Sequence, residues 1–281
     1  VAAALRIATD RLAAAGIGSP RVDAELLLAH LLAVPRGRLM LQPALTAGQA
    51  GEFTGLIGRR AAGMPVQHLT GRAPYRHLDL AVGPGVFIPR PETELILELA
   101  ADRLGGAGWV ADLGAGSGAI ALAVAHEYPA TEVYAVEADP AALDWLRRNA
   151  AERAAAGDPA ITVLAADLAA DDLLAELAGG FDVVLSNPPY VPESVRAELA
   201  PEIGHDPARA VFAGPDGLAL MPAVLRTAGR LLRPGGLLVI EHDASHAEAV
   251  PALLRAAGQW REVADRQDLA GRPRFAQAVR A

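Results

Sequence analysis

The spacing of apolar residues changes once along this chain, close to Pro74. Ahead of it the spacing is helical. Leu5, Ala8, Leu12 and Ile17 recur at intervals that stack side chains on one face of a helix. "SPRVDAELLLAHLLAV" predicts a second helix, with Ser19 as N-cap and Pro20 at the first helical position. Its apolar stripe is read as Val22, Leu26, Ala29 and Leu32. "TAGQAGEFTGLIGRRAAG" predicts a third helix, opened by Thr46 and weakened by its glycines. Residues 1–72 are therefore expected to form a small helical domain on a core of its own.

From Pro74 the pattern is mixed. "YRHLDLAVGPGVFIPR" alternates apolar and polar positions around Gly83-Pro84-Gly85, which predicts a β-hairpin linker over residues 73–90. A helix follows in "TELILELAADRL", with acids in its first turn. Then short apolar runs alternate with helical stretches. The predicted strands are "WVADL", "EVYAVEA", "ITVLAAD", "FDVVLSN" and "GLLVIEH". The helices between them are "GAIALAVAHEY", "PAALDWLRRNAAERAAAG" and "PDGLALMPAVLRTAGRLL". The last stretch, "REVADRQDLAGRPRFAQAVRA", reads as two strands around a Gly-Arg-Pro turn. Strands alternating with helices imply an α/β domain over residues 91–281, a mostly parallel sheet covered on both faces.

Composition narrows what such a domain does. Hydrophobic residues make up 52% of the 281, enough for a sizeable core. The formal net charge of -8 argues against a bare phosphate backbone as the main partner. There is no cysteine, hence no disulfide and no thiolate chemistry. The scattered histidines offer no H-x-x-x-H pair, so no metal is expected. No apolar run approaches a membrane span, and "VAAALRIATDRLAAAG" lacks the h-region of a secretory signal. A soluble cytoplasmic protein is the expectation.

"VADLGAGSGAIALAVA" is a strand, a glycine loop and a helix. Gly114, Gly116 and Gly118 permit a tight turn and close approach to a ligand. As G-x-G-x-x-A the loop suits a dinucleotide. As D-x-G-x-G-x-G it suits S-adenosylmethionine in a Rossmann-like methyltransferase. Asp112 favours the second, because a carboxylate sits poorly beside a pyrophosphate but can serve an amino group and a sulfonium. Ala115 and Ser117 complete the loop. Glu137 ends the next strand, where an acid can accept both ribose hydroxyl hydrogens. Asp139 competes for that role but stands before Pro140, an N-cap position. At the third strand end, Asp167 or Leu168 is placed to flank an adenine.

The fourth strand ends in "SNPPY". Pro188 holds Asn187 extended, and neither Pro188 nor Pro189 has an N–H. The turn thus offers acceptors, the Asn187 side-chain oxygen and the Pro188 carbonyl, with few donors. Two rigid acceptors suit both hydrogens of an –NH2 group, and Tyr190 can pack on the plane attached to it. Asn187, Pro188 and Tyr190 are the candidate catalytic residues. An amide nitrogen is a weak nucleophile, and such a clamp can aim it in line at a methyl donor.

With those residues in view, the chain resembles the release-factor glutamine methyltransferases, the PrmC/HemK family. "PVQHLTG", "FIPRPETE", "DLGAGSGAIALAVA", "FDVVLSNPPY", "DGL" and "DLAGRPR" match family motifs in family order. "FIPRPETE" is the most specific; N-P-P-Y is shared with enzymes that methylate amino groups of DNA and RNA. The resemblance implies an N-terminal helical substrate-recognition domain, a hairpin linker and a seven-stranded Rossmann-like methyltransferase domain. It implies N5-methylation of the glutamine in the Gly-Gly-Gln loop of class I peptide chain release factors, with S-adenosyl-L-homocysteine as product. Residues 114–118 and Glu137 would hold the cofactor, Asn187 lying close to its methionine end. Asn187, Pro188, Pro189 and Tyr190 would receive the glutamine, with Phe87, Ile88, Pro89 and Arg90 shaping the pocket. For Arg90 the alternative is an ion pair with Glu92 or Glu94.

Three positions depart from the family pattern: Glu137 for the usual Asp, and Asp243 and His246 for a common Gly and Gln. Glu137 should shift the ribose contact without abolishing it. Asp243 is expected to alter a loop near the cofactor end of the sheet, and His246 is read as a helix-surface residue. The rival activity is methylation of an exocyclic amino group of adenine or guanine in nucleic acid. A NAD-dependent oxidoreductase would leave "SNPPY" unused, and a non-catalytic binding module would not need these motifs.

Overall fold

In the computed structural model, which describes residues 1–281 apart from the side chain of Pro201, helix α1 (Ala2–Ala14) buries Leu5, Ala8 and Leu12. Of the expected stripe, helix α2 (Pro20–Leu32) fully buries only Ala29. Asp23, Ala24, Leu27, Leu28 and Ala29 face inward, while Val22 and Leu26 are exposed. The cause is an ion pair. Arg60 of helix α3 (Ala47–Ala61) donates its Nε–H to Asp23 Oδ2 at 2.6 Å, with both residues buried. A buried guanidinium needs its carboxylate partner, so Asp23 sets the rotation of α2. Arg60 also pairs with Glu202 and donates to the Met64 carbonyl.

Ser19 makes no side-chain cap bond. Thr46 does: its Oγ1 accepts from the Gln49 N–H, and Gln49 Oε1 accepts from the Thr46 N–H, a capping box that offsets the glycines of α3. A 3₁₀ turn (Arg36–Leu41) and helix α4 (Val66–Thr70) complete this unit, which comprises residues 1–72 with 200–205.

The second unit takes residues 73–199 and 206–281. Strands β1 (Arg72–Tyr75) and β2 (Leu78–Ala81) form a hairpin. Its turn lies at Arg76-His77, not at Gly83-Pro84-Gly85. Arg76 takes a left-handed φ of 51°, held there by ion pairs to Glu98 and Glu127. The glycine-proline stretch instead lies against Trp145, where a Cβ on Gly83 would come within 2.6 Å of the indole.

Helix α5 (Leu95–Leu104) leads into the main sheet. The sequence then runs β3 (Trp109–Leu113), α6 (Ala119–Glu127), β4 (Glu132–Glu137), α7 (Pro140–Ala155), β5 (Thr162–Ala165) and β6 (Phe181–Ser186). It continues through α8 (Ala208–Val211), α9 (Met221–Leu231), β7 (Leu232–Glu241), α10 (Ala249–Ala256), β8 (Trp260–Gln267) and β9 (Pro273–Arg280). Helix α9 starts later than "PDGL" suggests, because Gly214 and Gly217 have positive φ and turn the chain first. The seven strands lie in the order β5-β4-β3-β6-β7-β9-β8. All pair parallel except β9, which is antiparallel to β7 and β8.

Side chains alternate between two cores. Val183, Leu185, Leu237 and Val239 join the side covered by α5, α6 and α7. Val184, Leu238 and Ile240 join the side covered by α9 and α10. The strand order reverses across β3 and β6, and an open α/β sheet binds ligands at the carboxyl edge beside such a switch. Among the described residues no helix is long and apolar enough to cross a membrane.

Asp112, near the end of β3, is 1% exposed, and its Oδ2 accepts the Ala121 N–H. Burial pushes its carboxyl up to about 7, opposed by that hydrogen bond. The folded chain therefore keeps a proton that the unfolded chain releases near pH 4. Stability is lost as pH rises from about 4 to 7. Asp112→Asn should gain stability over wild type at pH 8 more than at pH 5, read by urea unfolding without cofactor. An equal difference at both pH values contradicts this assignment. The rotation of α2 gives a second expectation: Leu27→Ala costs about 2–5 kcal/mol, and Leu26→Ala roughly 1 kcal/mol or less, in the same unfolding measurement.

Candidate active site

A cavity of about 250 Å³ opens at the carboxyl edge, entirely within the second unit. Its floor is the glycine loop between β3 and α6. The Gly114 and Ala115 N–H groups donate to the Val136 carbonyl at 2.9 Å, which ties the loop to β4. Gly118 has φ +88°, and a Cβ there would stand 2.6 Å from Leu146 Cδ1. Gly116 has φ +56° with nothing near its missing Cβ, so its open side is available to a ligand.

Glu137 reaches this loop from the end of β4. Its Oε2 accepts the Gly116 N–H at 2.8 Å and its Oε1 accepts the Asp139 N–H at 2.7 Å. Burial pushes the carboxyl up, opposed by the Gly116 and Ala138 N–H groups and by Arg209. Each oxygen keeps acceptor capacity for a hydroxyl. Asp139 Oδ1 is committed to capping α7, accepting from Ala141 and Ala142, and the carboxylate pairs with Arg209. Ala115, Ser117, Asp167 and Leu168 also line the cavity. Asp167 Oδ1 accepts from its own loop at Ala169.

Asp112 is not in the cavity wall. It lies behind the loop, tied to α6, with Oδ1 unpartnered. Gly118, too, faces Leu146 and Leu122 and not the cavity.

Of the "SNPPY" turn, Asn187 and Pro189 line the cavity, while Pro188 and Tyr190 do not. Asn187 Nδ2 donates to Thr93 Oγ1 at 3.1 Å, which leaves Oδ1 as the end that can accept. The Tyr190 hydroxyl donates to Glu241 Oε1 at 2.6 Å, and its ring packs against the core under α9 and α10.

Phe87 and Pro89 line the cavity; Ile88 is buried and Arg90 points elsewhere. Arg90 pairs with Asp206, not with Glu92 or Glu94. Its guanidinium lies 4.9 Å from the Phe87 ring centroid, and Asp206 Oδ1 also accepts the Ile88 N–H. Pro207, Arg209 and Ala210, next along the chain, border the cavity. His246 is not on a helix surface. It is 4% exposed, and its Nε2 bonds the Asp216 carbonyl at 2.8 Å. It pins the "DGL" turn and is no surface residue. Asp243 caps the short turn that carries it.

Absent from the sequence expectations are Tyr75 and Arg209, which line the cavity, and Glu241, which holds Tyr190 behind it; Thr93 also lines the cavity and lies within "FIPRPETE", expected there as a run but not by residue. An acid ending an apolar strand, the signal of Glu137, is equally present in "LLVIEH" and marks Glu241. Burial pushes Glu241 up to about 7, with Tyr190, Thr93 and Arg274 opposing it. Tyr75 and Arg209 carry no comparable signal. Among the described residues no group of three His, Asp or Glu side chains gathers as a metal site would.

Comparison with known proteins bears on this geometry. The PrmC N-terminal domain family matches residues 3–71, and the methyltransferase small domain family matches residues 77–210. The release factor glutamine methyltransferase of Mycolicibacterium smegmatis is 48% identical over 99% of this chain and 96% of its own length. That of Streptomyces coelicolor is 45% identical over 98% and 96%. Among solved structures, the T. thermophilus 16S rRNA N2 G1207 methyltransferase (RsmC), in complex with AdoMet and guanosine, is similar with a TM-score of 0.52. It is 25% identical over 75% of this chain and 50% of that one. The hMettl16 catalytic domain shares the fold at a TM-score of 0.58 and 14% identity, over 80% and 81% of the two chains. With an N-terminal helical unit, a mostly parallel seven-stranded sheet, and near full-length identity approaching one half, this chain belongs to the release factor glutamine methyltransferase family.

Proposed function

We propose that the chain transfers a methyl group from S-adenosylmethionine to the side-chain amide nitrogen, N5, of the glutamine in the Gly-Gly-Gln loop of class I peptide chain release factors. One observation carries the chemistry: Asn187 has its nitrogen tied to Thr93 and its oxygen left to accept. The residues present fit the cofactor. Glu137 offers a carboxylate for ribose hydroxyls beside the open side of Gly116, and Leu168 and Val136 give an apolar wall for an adenine. When bound, S-adenosylmethionine supplies an electrophilic methyl group on a sulfonium.

The chain's own residues do the rest. Asn187 Oδ1 accepts one amide hydrogen of the glutamine, and we read the Pro188 carbonyl, which is not part of the cavity lining, as the acceptor for the other, with no proline N–H to compete. Holding both N–H bonds fixes where the nitrogen points and favours its pyramidal form as the new bond grows. Phe87 and Pro89 narrow the cavity around the side chain. The nitrogen sheds a proton during or after transfer, and no strong base is needed. We read the cytoplasm as the site of the reaction, since its proposed substrate is a translation factor. The same two acceptors could hold the exocyclic amino group of guanine, a reading favoured by the likeness to the rRNA enzyme. The acidic chain weighs against it.

Incubation with labelled S-adenosylmethionine, a purified release factor and a ribosomal RNA control should label the glutamine of the Gly-Gly-Gln loop. Label found only in RNA would sink the proposal. Asn187→Ala should bind cofactor within about threefold of wild type and lose roughly 10²–10³ in kcat.

A further inference from the structure

Ser186 and Ile240 form the last register step between β6 and β7. Asn187 and Glu241 take the next positions on the two neighbouring strands. By alternation both project to the side of Leu185 and Val239. An acid at that point is costly, since Glu241 is 0% exposed and a buried carboxylate is tolerated only with partners. Its partners are Tyr190, Thr93, which lines the cavity, and the Arg274 charge. Tyr190 Oη–H donates to Oε1 at 2.6 Å. The Thr93 hydroxyl interacts with the same carboxylate, while Oε2 lacks a fully formed hydrogen bond. Thr93 is 4% exposed and is fixed by its own carbonyl, which accepts the Tyr75 hydroxyl at 3.1 Å.

A threonine hydroxyl has one proton to give and lone pairs to accept with. Once ionised, Glu241 can only accept, and the Thr93 proton is drawn to it. Its oxygen is then left to accept from Asn187 Nδ2, as observed at 3.1 Å. The chain of donors runs Asn187 to Thr93 to Glu241. Reversing any link would let the Asn187 amide flip and present Nδ2, a donor, to an –NH2 group that needs an acceptor.

We infer that Glu241 is a positioning residue for methyl transfer: through Thr93 it keeps the Asn187 amide oriented with Oδ1 toward the cavity, and through Tyr190 it holds the turn that carries it. This rests on the reading of Asn187 as an acceptor for the amide substrate. The sequence offers a direct probe, since it contains only two asparagines, Asn149 and Asn187. Selective ¹⁵N-asparagine labelling of the full chain therefore gives two side-chain amide pairs. Asn149 is an internal reference, with Nδ2 donating to the Ala81 and Ser117 carbonyls and Oδ1 accepting from Ala81.

In Glu241→Gln and Thr93→Val, the Asn187 amide pair should shift and exchange with solvent about tenfold faster or more, with the Asn149 pair unmoved. Thr93→Ser should restore the wild-type signal. Cofactor affinity should stay within about twofold while kcat for release-factor methylation falls about tenfold or more in the first two variants. Combining them should add little further loss. An Asn187 pair that is unchanged in Glu241→Gln and Thr93→Val overturns the inference, as does wild-type kcat in both. Should wild type itself fail to methylate a release factor, the proposed function falls, and the amide signals still decide the orientation independently.

Discussion

Asn187 carries a donor and an acceptor on one carbon, and which of them faces the cavity decides what the cavity can hold. A primary amide has nearly the same shape in both orientations, so packing alone does not choose. Here the choice is made by hydrogen bonding to Thr93, a side chain brought in from the stretch before α5. The prolines after Asn187 make the same demand from the other direction, because a turn without N–H groups has only acceptors to offer. In the proposed mechanism, Thr93 keeps the Asn187 oxygen turned toward the cavity.

The sheet makes this possible at some cost to its own stability. Parallel strands β3, β4, β6 and β7 end along one edge, and three of them place acids there: Asp112, Glu137 and Glu241. Burial pushes all three carboxyls up, Asp112 and Glu241 to about 7. Apolar residues would be cheaper in that position. Their distribution follows task. Glu137 borders the cavity, while Asp112 and Glu241 stand behind it and hold a helix start and a turn.

The run "FIPRPETE" is one segment serving several walls. Phe87 and Pro89 face the cavity, Arg90 and the Ile88 N–H hold Asp206, and Thr93 holds Asn187. Through Asp206 the run fixes the start of the stretch whose Pro207, Arg209 and Ala210 border the cavity. A substitution in this run is therefore felt at both ends of the cavity.

Sequence pattern alone determined the element types, the parallel sheet, the glycine loop, the strand-end acid Glu137 and the acceptor character of "SNPPY", since each depends on local periodicity or on the chemistry of a few adjacent residues. It did not determine the buried face of α2, because Asp23 is turned inward by Arg60, 37 residues away. It did not place the hairpin turn, because a left-handed Arg76 is held by distant glutamates. Nor did it give the partner of Arg90, the burial of His246, or the hydrogen bonds of Asn187 to Thr93 and of Tyr190 to Glu241. Those contacts join residues far apart in the chain, and their energies exist only once the sheet has brought the ends of its strands to one edge.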